Sequence, residues 1–156
     1  RAYGSLATRY TSAMRFVDSN ILLYSISADD AESEKAEVAA DILDQADLAL
    51  SVQVLQEFLV QATHPRRPDR LSGEDALALV ETWLRYPVQE TSVALMKAAA
   101  ATSQRRRISY WDAAVIEAAR ALGCTQVLTE DLNDGQDYAG VTAVNPFSRS
   151  HASGAT

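Results

Sequence analysis

Short apolar runs alternating with helix-length segments constrain this chain more than any other feature, and two of the runs lead straight into carboxylates. The runs are "MRFVD" at 14–18, "LALS" at 48–51, "PVQETS" at 87–92, "TQVLT" at 125–129 and "GVTAVNPF" at 140–147. Each has the length of a strand, and the segments between them carry apolar residues at helical spacing. This alternation implies an α/β fold, with a short, mainly parallel central sheet covered by helices on both faces. In such sheets ligands bind beyond the carboxyl ends of the strands. Asp18 falls at such an end, and Glu130 and Asp131 follow another.

At 156 residues, 47% hydrophobic and 22% charged, the chain is expected to be one globular domain with a substantial core. No apolar run approaches the roughly 18 residues that span a bilayer. The start, "RAYGSLATRYTSA", lacks the apolar stretch of a secretory signal. The one cysteine, Cys124, leaves no partner for an intrachain disulfide and reads as a small buried residue. A cytoplasmic location is the expectation, with no membrane partner. Residues 1–13 read as an extension or tag, 14–148 as the folded unit and 149–156, which include His151, as a flexible tail. A net charge of −7 argues against coating nucleic acid by charge alone. It is compatible with a metal-loaded patch that meets phosphate, because bound cations reverse the local field.

The segments between the runs predict helices over 19–26, 30–46, 52–63, 93–106 and 110–122, and another after Ser72. Ser51, Ser72 and Ser109 stand where N-caps belong, and Gly123 stands where the last helix stops. "HPRRPDR" at 64–70 is a loop, since its prolines resist helix.

Several acids occupy awkward positions. Asp18 ends an apolar strand, where an unpaired carboxylate is costly to desolvate. On the helix over 110–122, Asp112 shares a stripe with Val115, Ile116 and Ala119. A capping box, Ser109-x-x-Asp112, accounts for an acid there but not for its apolar neighbours. Glu57 lies beside Val54 at the edge of a stripe through Val52, Leu55, Phe58, Leu59 and Ala62, where a solvated glutamate is also ordinary. In "VLTEDLNDG" the strand runs into Glu130, Asp131 and Asp134, which an acidic turn with Gly135 would explain. A divalent metal site explains all four positions at once, because Mg2+ and Mn2+ make converging carboxylates mutually compatible. His64 sits in the proline loop, which argues against zinc.

With these acids in order, the chain resembles the PIN-domain ribonucleases, specifically the toxins of VapBC-type toxin–antitoxin pairs. The resemblance covers roughly 14–148 and rests on "FVDSNILLY", "SVQVLQEF", "SYWDAAVIEAARALGC" and "LTEDLNDG". It implies a three-layer α/β/α sandwich in which Asp18, Glu57, Asp112 and Asp131 are catalytic metal ligands for Mg2+ or Mn2+. By the same resemblance Thr129 orients a metal-bound water, Asn20 supports the first aspartate and Asp134 is a further acid of lesser standing. It further implies hydrolysis of RNA phosphodiesters, a homodimer, and a small antitoxin whose basic residue enters the acidic site. Asp18 and Asp131 would be the primary ligands, with Asp112 and Glu57 completing the shell.

Arg66, Arg67 and Arg70 in the proline loop, and Arg105, Arg106 and Arg107 before the Asp112 helix, are candidate RNA contacts. A solvated helix end is the competing explanation for 105–107. Trp83 and Trp111, at apolar spacing on helices, read as core. A phosphoryl-accepting receiver domain and a haloacid-dehalogenase-type phosphatase each need a lysine after a late strand, and Lys35 and Lys97 both lie on helices. The remaining alternative is a catalytically inactive PIN-fold module that binds RNA or protein.

Overall fold

The computed structural model describes residues 14–148. The expected extension at 1–13 and the tail at 149–156, His151 included, lie outside the described residues. Arg15–Val17 (β1) is the central strand. Phe16 and Val17 point to opposite sides by the two-residue period of a strand, and both are fully buried, so each face of the sheet is covered. Leu48–Ser51 (β2) and Gln126–Leu128 (β4) flank β1 in parallel, with Phe16 opposite Ala49 on one side and Val127 on the other. Val88–Gln89 (β3) lies outside β2, and Thr142–Val144 (β5) lies outside β4. The order is β3-β2-β1-β4-β5, and every adjacent pair is parallel.

The chain therefore builds outward from β1 through β2 to β3, then crosses back to lay β4 on the other side of β1. Strand order reverses between β1 and β4, and the crevice beyond their carboxyl ends is the binding position that this topology creates. Asp18 follows β1 and Thr129 follows β4 at that crevice, with the Asp18 amide bonded to Leu128 O at 3.0 Å.

Among the described residues, six α-helices surround the sheet: Ser19–Ser25 (α1), Ser33–Leu43 (α2), Val52–Ala62 (α3), Gly73–Trp83 (α4), Val93–Arg106 (α5) and Tyr110–Ala121 (α6). Serine hydroxyls cap four of them, Ser51, Ser72 and Ser109 as the sequence predicts and Ser92 in addition. Ser51, Ser72, Ser92 and Ser109 accept from the amides of Val54, Asp75, Leu95 and Asp112 at 3.0–3.2 Å. Gly123 takes φ +75° after α6, the left-handed turn expected of a glycine at a helix end.

The predicted helix over 30–46 is shorter and divided. Asp29 caps a separate 3₁₀ turn, Asp30–Glu32, by accepting from Ala31 N at 2.9 Å, and α2 begins only at Ser33 and ends at Leu43. The inward face of α3 also differs from the predicted stripe. Val54, Leu55, Phe58 and Ala62 are buried, while Val52 is half-buried. Trp83 is core, as expected, with its ring centroid 4.7 Å from that of Phe58 in an edge-to-face contact. Cys124 is buried as well.

Helix α6 departs most from a one-sided amphipathic reading. It contacts β2, β3 and β4 on one side and α5 on the other. All residues from Ala113 to Ala119 are buried, Glu117 included. Small side chains allow this double contact, and Ala113 and Ala114 meet Ala99 of α5. Glu117 tolerates burial because its carboxylate accepts from Thr102 Oγ1 at 2.7 Å and pairs with Arg120 Nε at 2.9 Å. Arg120 in turn donates to the carbonyls of Tyr138 and Ala139, tying α6 to the loop between β4 and β5. Removing Arg120 leaves a buried acid with only a hydroxyl for company. Because Arg120 is itself partly solvated, Arg120→Ala is expected to cost about 2 kcal/mol, read as a lowered urea midpoint at unchanged slope.

Candidate active site

Asp18 is the most confined of the four sequence-singled acids. It leaves β1 at the start of α1 and is 4% exposed. Its Oδ1 accepts from Ser19 N at 2.7 Å, and its Oδ2 accepts from Thr129 Oγ1 at 2.8 Å. Both bonds favour the carboxylate, but burial outweighs them. Burial, with the charges of Asp131 and Glu57 adding to it, pushes the Asp18 carboxyl up to about 7.

The other acids reach the same place from three further elements. Thr129 is fully buried, and its hydroxyl proton goes to Asp18. The same oxygen accepts from Asn20 Nδ2 at 3.2 Å and from Asp131 N at 3.1 Å. Asn20 Nδ2 also donates to Asp131 Oδ2 at 3.2 Å, so Asn20 and Thr129 together join the end of β4 to Asp18. On the other side Ser19 Oγ donates to Glu57 Oε2 at 2.8 Å, and Gln53 Nε2 donates to Glu57 Oε1 at 3.0 Å from one turn back on α3. Asp112 stands in the first turn of α6, half-buried, with its amide capped by Ser109. Its carboxyl is raised chiefly by burial and also by Asp131 and Glu57, the same two acids that act on Asp18.

The four are not equally sheltered. Asp131 is exposed and Glu57 half-buried, so the near-burial expected from the sequence holds fully only for Asp18. None of them has a cationic partner. The ion pairs among the described residues join Arg15 to Asp47, Lys35 to Glu130, Arg67 to Asp69 and Arg120 to Glu117. The cluster thus keeps its charge uncompensated.

Its fit to a divalent cation follows from the donors. They are hard oxygens, and Asn20 Oδ1 adds a buried acceptor with no hydrogen-bond partner. That amide is oriented by its neighbours, since Asp131 requires the NH2 end. Among the described residues, no three Asp, Glu, His or Cys side chains stand close enough to form a ready-made cage. The donor set suits Mg2+ or Mn2+ in kind, and its members would have to draw together to enclose one.

The remaining sequence candidates divide. Asp134 accepts from Asn145 N at 2.9 Å and from Ser148 Oγ at 3.3 Å, fastening the segment after β5. Arg67 is half-buried and pairs with Asp69, which also holds Ala28 N at 2.8 Å, so the proline loop is tied to the chain after α1. Arg67 nevertheless lines a small cleft with Asn20, Tyr24 and Glu130 beside the acids. Arg66, Arg70, Arg105, Arg106 and Arg107 are exposed. Trp111 is 62% exposed rather than core, because α6 buries the residues after it and turns its first turn outward.

Sequence reasoning overlooked three contributors. Ser19 and Gln53 hold Glu57, and only the i to i+4 spacing of Gln53 and Glu57 could have hinted at this. Glu130 is engaged by Lys35 Nζ at 2.9 Å and Tyr24 OH at 2.5 Å, a pairing across 95 residues with no local signature.

The chain matches the PIN-domain family over residues 15–137. It belongs to that family. No curated protein sequence matches it, but solved structures do. Mycobacterium tuberculosis VapC20, described as a sarcin-ricin loop cleaving toxin, is 20% identical, with a TM-score of 0.60 over 75% of this chain and 89% of that one. A toxin–antitoxin complex from Klebsiella pneumoniae is 18% identical, with a TM-score of 0.61 over 85% and 98%. DNA-bound VapBC from Salmonella typhimurium is 17% identical, with a TM-score of 0.55 over 84% and 96%. At these identities the likeness is one of fold. This PIN domain has the α/β/α architecture that the sequence resemblance implies, and no helix among its described residues is long and apolar enough to cross a membrane.

The raised Asp18 carboxyl sets a pH dependence. Between 3.8 and about 7 the folded chain holds a proton that the unfolded chain has released, so stability falls as pH rises through that window. The loss is at most about 1.4 kcal/mol per pH unit for one group. In chelator, the melting temperature is expected to drop from pH 5 to pH 8, and Asp18→Asn is expected to flatten that drop.

Proposed function

We propose that this PIN domain is a divalent-metal-dependent endoribonuclease and the toxin half of a type II toxin–antitoxin pair. The observation that carries the reading is a buried, strand-end carboxyl held up to about 7 under the charges of Asp131 and Glu57, which act on Asp112 as well, with none of the four paired to a cation among the described residues. Such an arrangement costs stability and has no structural return, whereas a Mg2+ or Mn2+ ion would make it favourable. Asp18, Asp131, Asp112 and Glu57 would hold the ion. When bound, it would supply an acidified water for attack and neutralise charge on the phosphate and leaving oxygen.

The chain's own residues prepare that chemistry. Thr129 and Ser19 N fix both oxygens of Asp18, so the carboxylate cannot rotate away. Asn20 holds Asp131 against the end of β4, and Ser19 and Gln53 hold both oxygens of Glu57. Without a cation these acids repel an RNA backbone, which makes substrate binding metal-dependent. The described toxin–antitoxin relatives support a small antitoxin as partner, and a net charge of −7 suits a basic inhibitory segment. A homodimer is proposed from the resemblance to VapC-type toxins alone.

Asp18→Asn and Asp112→Asn are expected to lower RNA cleavage more than about a hundredfold, and Thr129→Val, which removes a supporting hydroxyl, by 10- to about 100-fold. Cleavage of total RNA by the purified variants, with folding checked by circular dichroism, measures this; an active Asp18→Asn protein would refute the assignment. The reading is separated from an inactive PIN module by thermal shift. At a hundredfold excess over Kd, Mn2+ is expected to raise the melting temperature by about 5–10 °C, and not in Asp18→Asn. An inert module would show no such rise.

A further inference from the structure

Beside the acids lies an open cleft of about 520 Å³ that the chemistry above leaves unused. Its walls include Ser19, Gln53, Gln56, Glu57, Val60 and Trp111. Two of these, Ser19 and Glu57, are the hydrogen-bonded pair that closes one side of the carboxylate cluster. A third, Trp111, immediately precedes Asp112 in the chain. Whatever fills the cleft therefore touches the reacting centre on one flank.

The lining restricts the chemistry of the occupant. It contains no Lys, Arg or His, and its one acidic side chain is Glu57, so it offers no cation to a phosphate. What it offers is a large exposed indole, an exposed valine and primary amides. Trp111 and Val60 are 62% and 61% exposed, a considerable apolar surface to leave in water one residue from a catalytic acid. The Trp111 ring is steadied by the edge of Tyr110, with centroids 5.0 Å apart and planes at 79°, so part of its rotational freedom is already lost before anything binds. Gln53 is committed to Glu57, which leaves Gln56 and Gln61, both exposed on the same helix, to address an occupant. A flat, neutral, aromatic group with polar edges satisfies these conditions together, and it must lie next to a phosphate that reaches the acids.

We infer that this cleft is a nucleobase subsite, in which Trp111 stacks on a base beside the scissile phosphate and an amide of Gln56 or Gln61 meets that base's edge. The inference rests on the ribonuclease reading. Stacking on an aromatic ring accepts any base, and an amide that can donate and accept adds a preference among them. Trp111 is then a substrate-binding residue rather than a catalytic one, and its contribution belongs to affinity.

The test is binding of labelled random-sequence hexaribonucleotides and of an abasic hexamer to the protein with Asp18 intact, read by anisotropy with Ca2+ in place of Mg2+, the RNA being checked as whole on a gel after each titration. The base-bearing pool is expected to bind roughly tenfold more tightly than the abasic hexamer. Trp111→Ala in the same buffer is expected to erase the difference while leaving the abasic affinity unchanged, and Trp111→Phe is expected to keep most of it. A base preference indifferent to Trp111, equal affinity for both hexamers, or no RNA binding at all overturns the subsite. So does a lysine-rich peptide that takes this face while RNA does not, which would assign the cleft to a protein inhibitor. Cleavage of total RNA by the unsubstituted protein, run alongside, reports on the ribonuclease reading separately: cleavage that persists while base preference ignores Trp111 removes the subsite alone.

Discussion

Removing water from the Asp18 carboxyl is the constraint on which the site's architecture depends. A parallel sheet with both faces covered can deliver a side chain into a sheltered crevice only where its strand order reverses, and β1 and β4 meet there. The first residue beyond β1 is therefore buried whether it is polar or not. An alanine would satisfy the packing. An aspartate needs the amide at the start of α1 and the Thr129 hydroxyl from β4, and even with both its proton is held tightly. The neighbouring acids then make matters worse, which is the reverse of what stability alone would favour.

The supporting residues follow from that burden. Ser19 serves Asp18 through its backbone and Glu57 through its side chain, so one residue positions acids from two elements. Thr129 uses its single proton on Asp18 and its acceptor capacity on Asn20 and Asp131 N. These bonds fix direction without neutralising charge. Elsewhere the protein does the opposite. Glu117, also buried, receives a guanidinium and a hydroxyl and is folded into the scaffold.

Much of this was legible in the chain because it is local. Strand-length apolar runs, serines three residues before a helical amide, and an aspartate at the end of "RFVD" each report on their own neighbourhood. What could not be read depends on partners distant in sequence. The bond from Ser19 to Glu57 spans 38 residues, and that from Asn20 to Asp131 spans 111. Burial on both sides of α6 is likewise invisible to a test for a single apolar stripe, because alanines on its second face register as neutral. The same blindness placed Trp111 in the core. Helical spacing locates a residue on a face but does not say where along the axis the covering layer stops, and here it stops between Asp112 and Ala113. The helix expected to run unbroken from 30 to 46 failed for a local reason instead, since Asp29 caps the turn beneath it and resets the start.

The adjacent acids Glu130 and Asp131 show how the chain separates structural charge from chemical charge. Glu130 lies under Lys35, whose ammonium also sits 4.7 Å from the centre of the Tyr24 ring and 5.5 Å from that of Phe147. That pairing secures the segment after β4 against α1 and α2, and it holds the Lys35 ammonium on Glu130. Asp131, one residue on, is left with an amide hydrogen from Asn20 and no counter-charge. If Lys35 reached Asp131 instead, the cluster would be partly neutralised from within and its attraction for a divalent ion weakened by the same Coulomb term. The order Glu-Asp after the strand therefore matters: the longer side chain spans to the lysine and anchors the loop, and the shorter one stays beside Thr129, where its field still reaches Asp18 and Asp112.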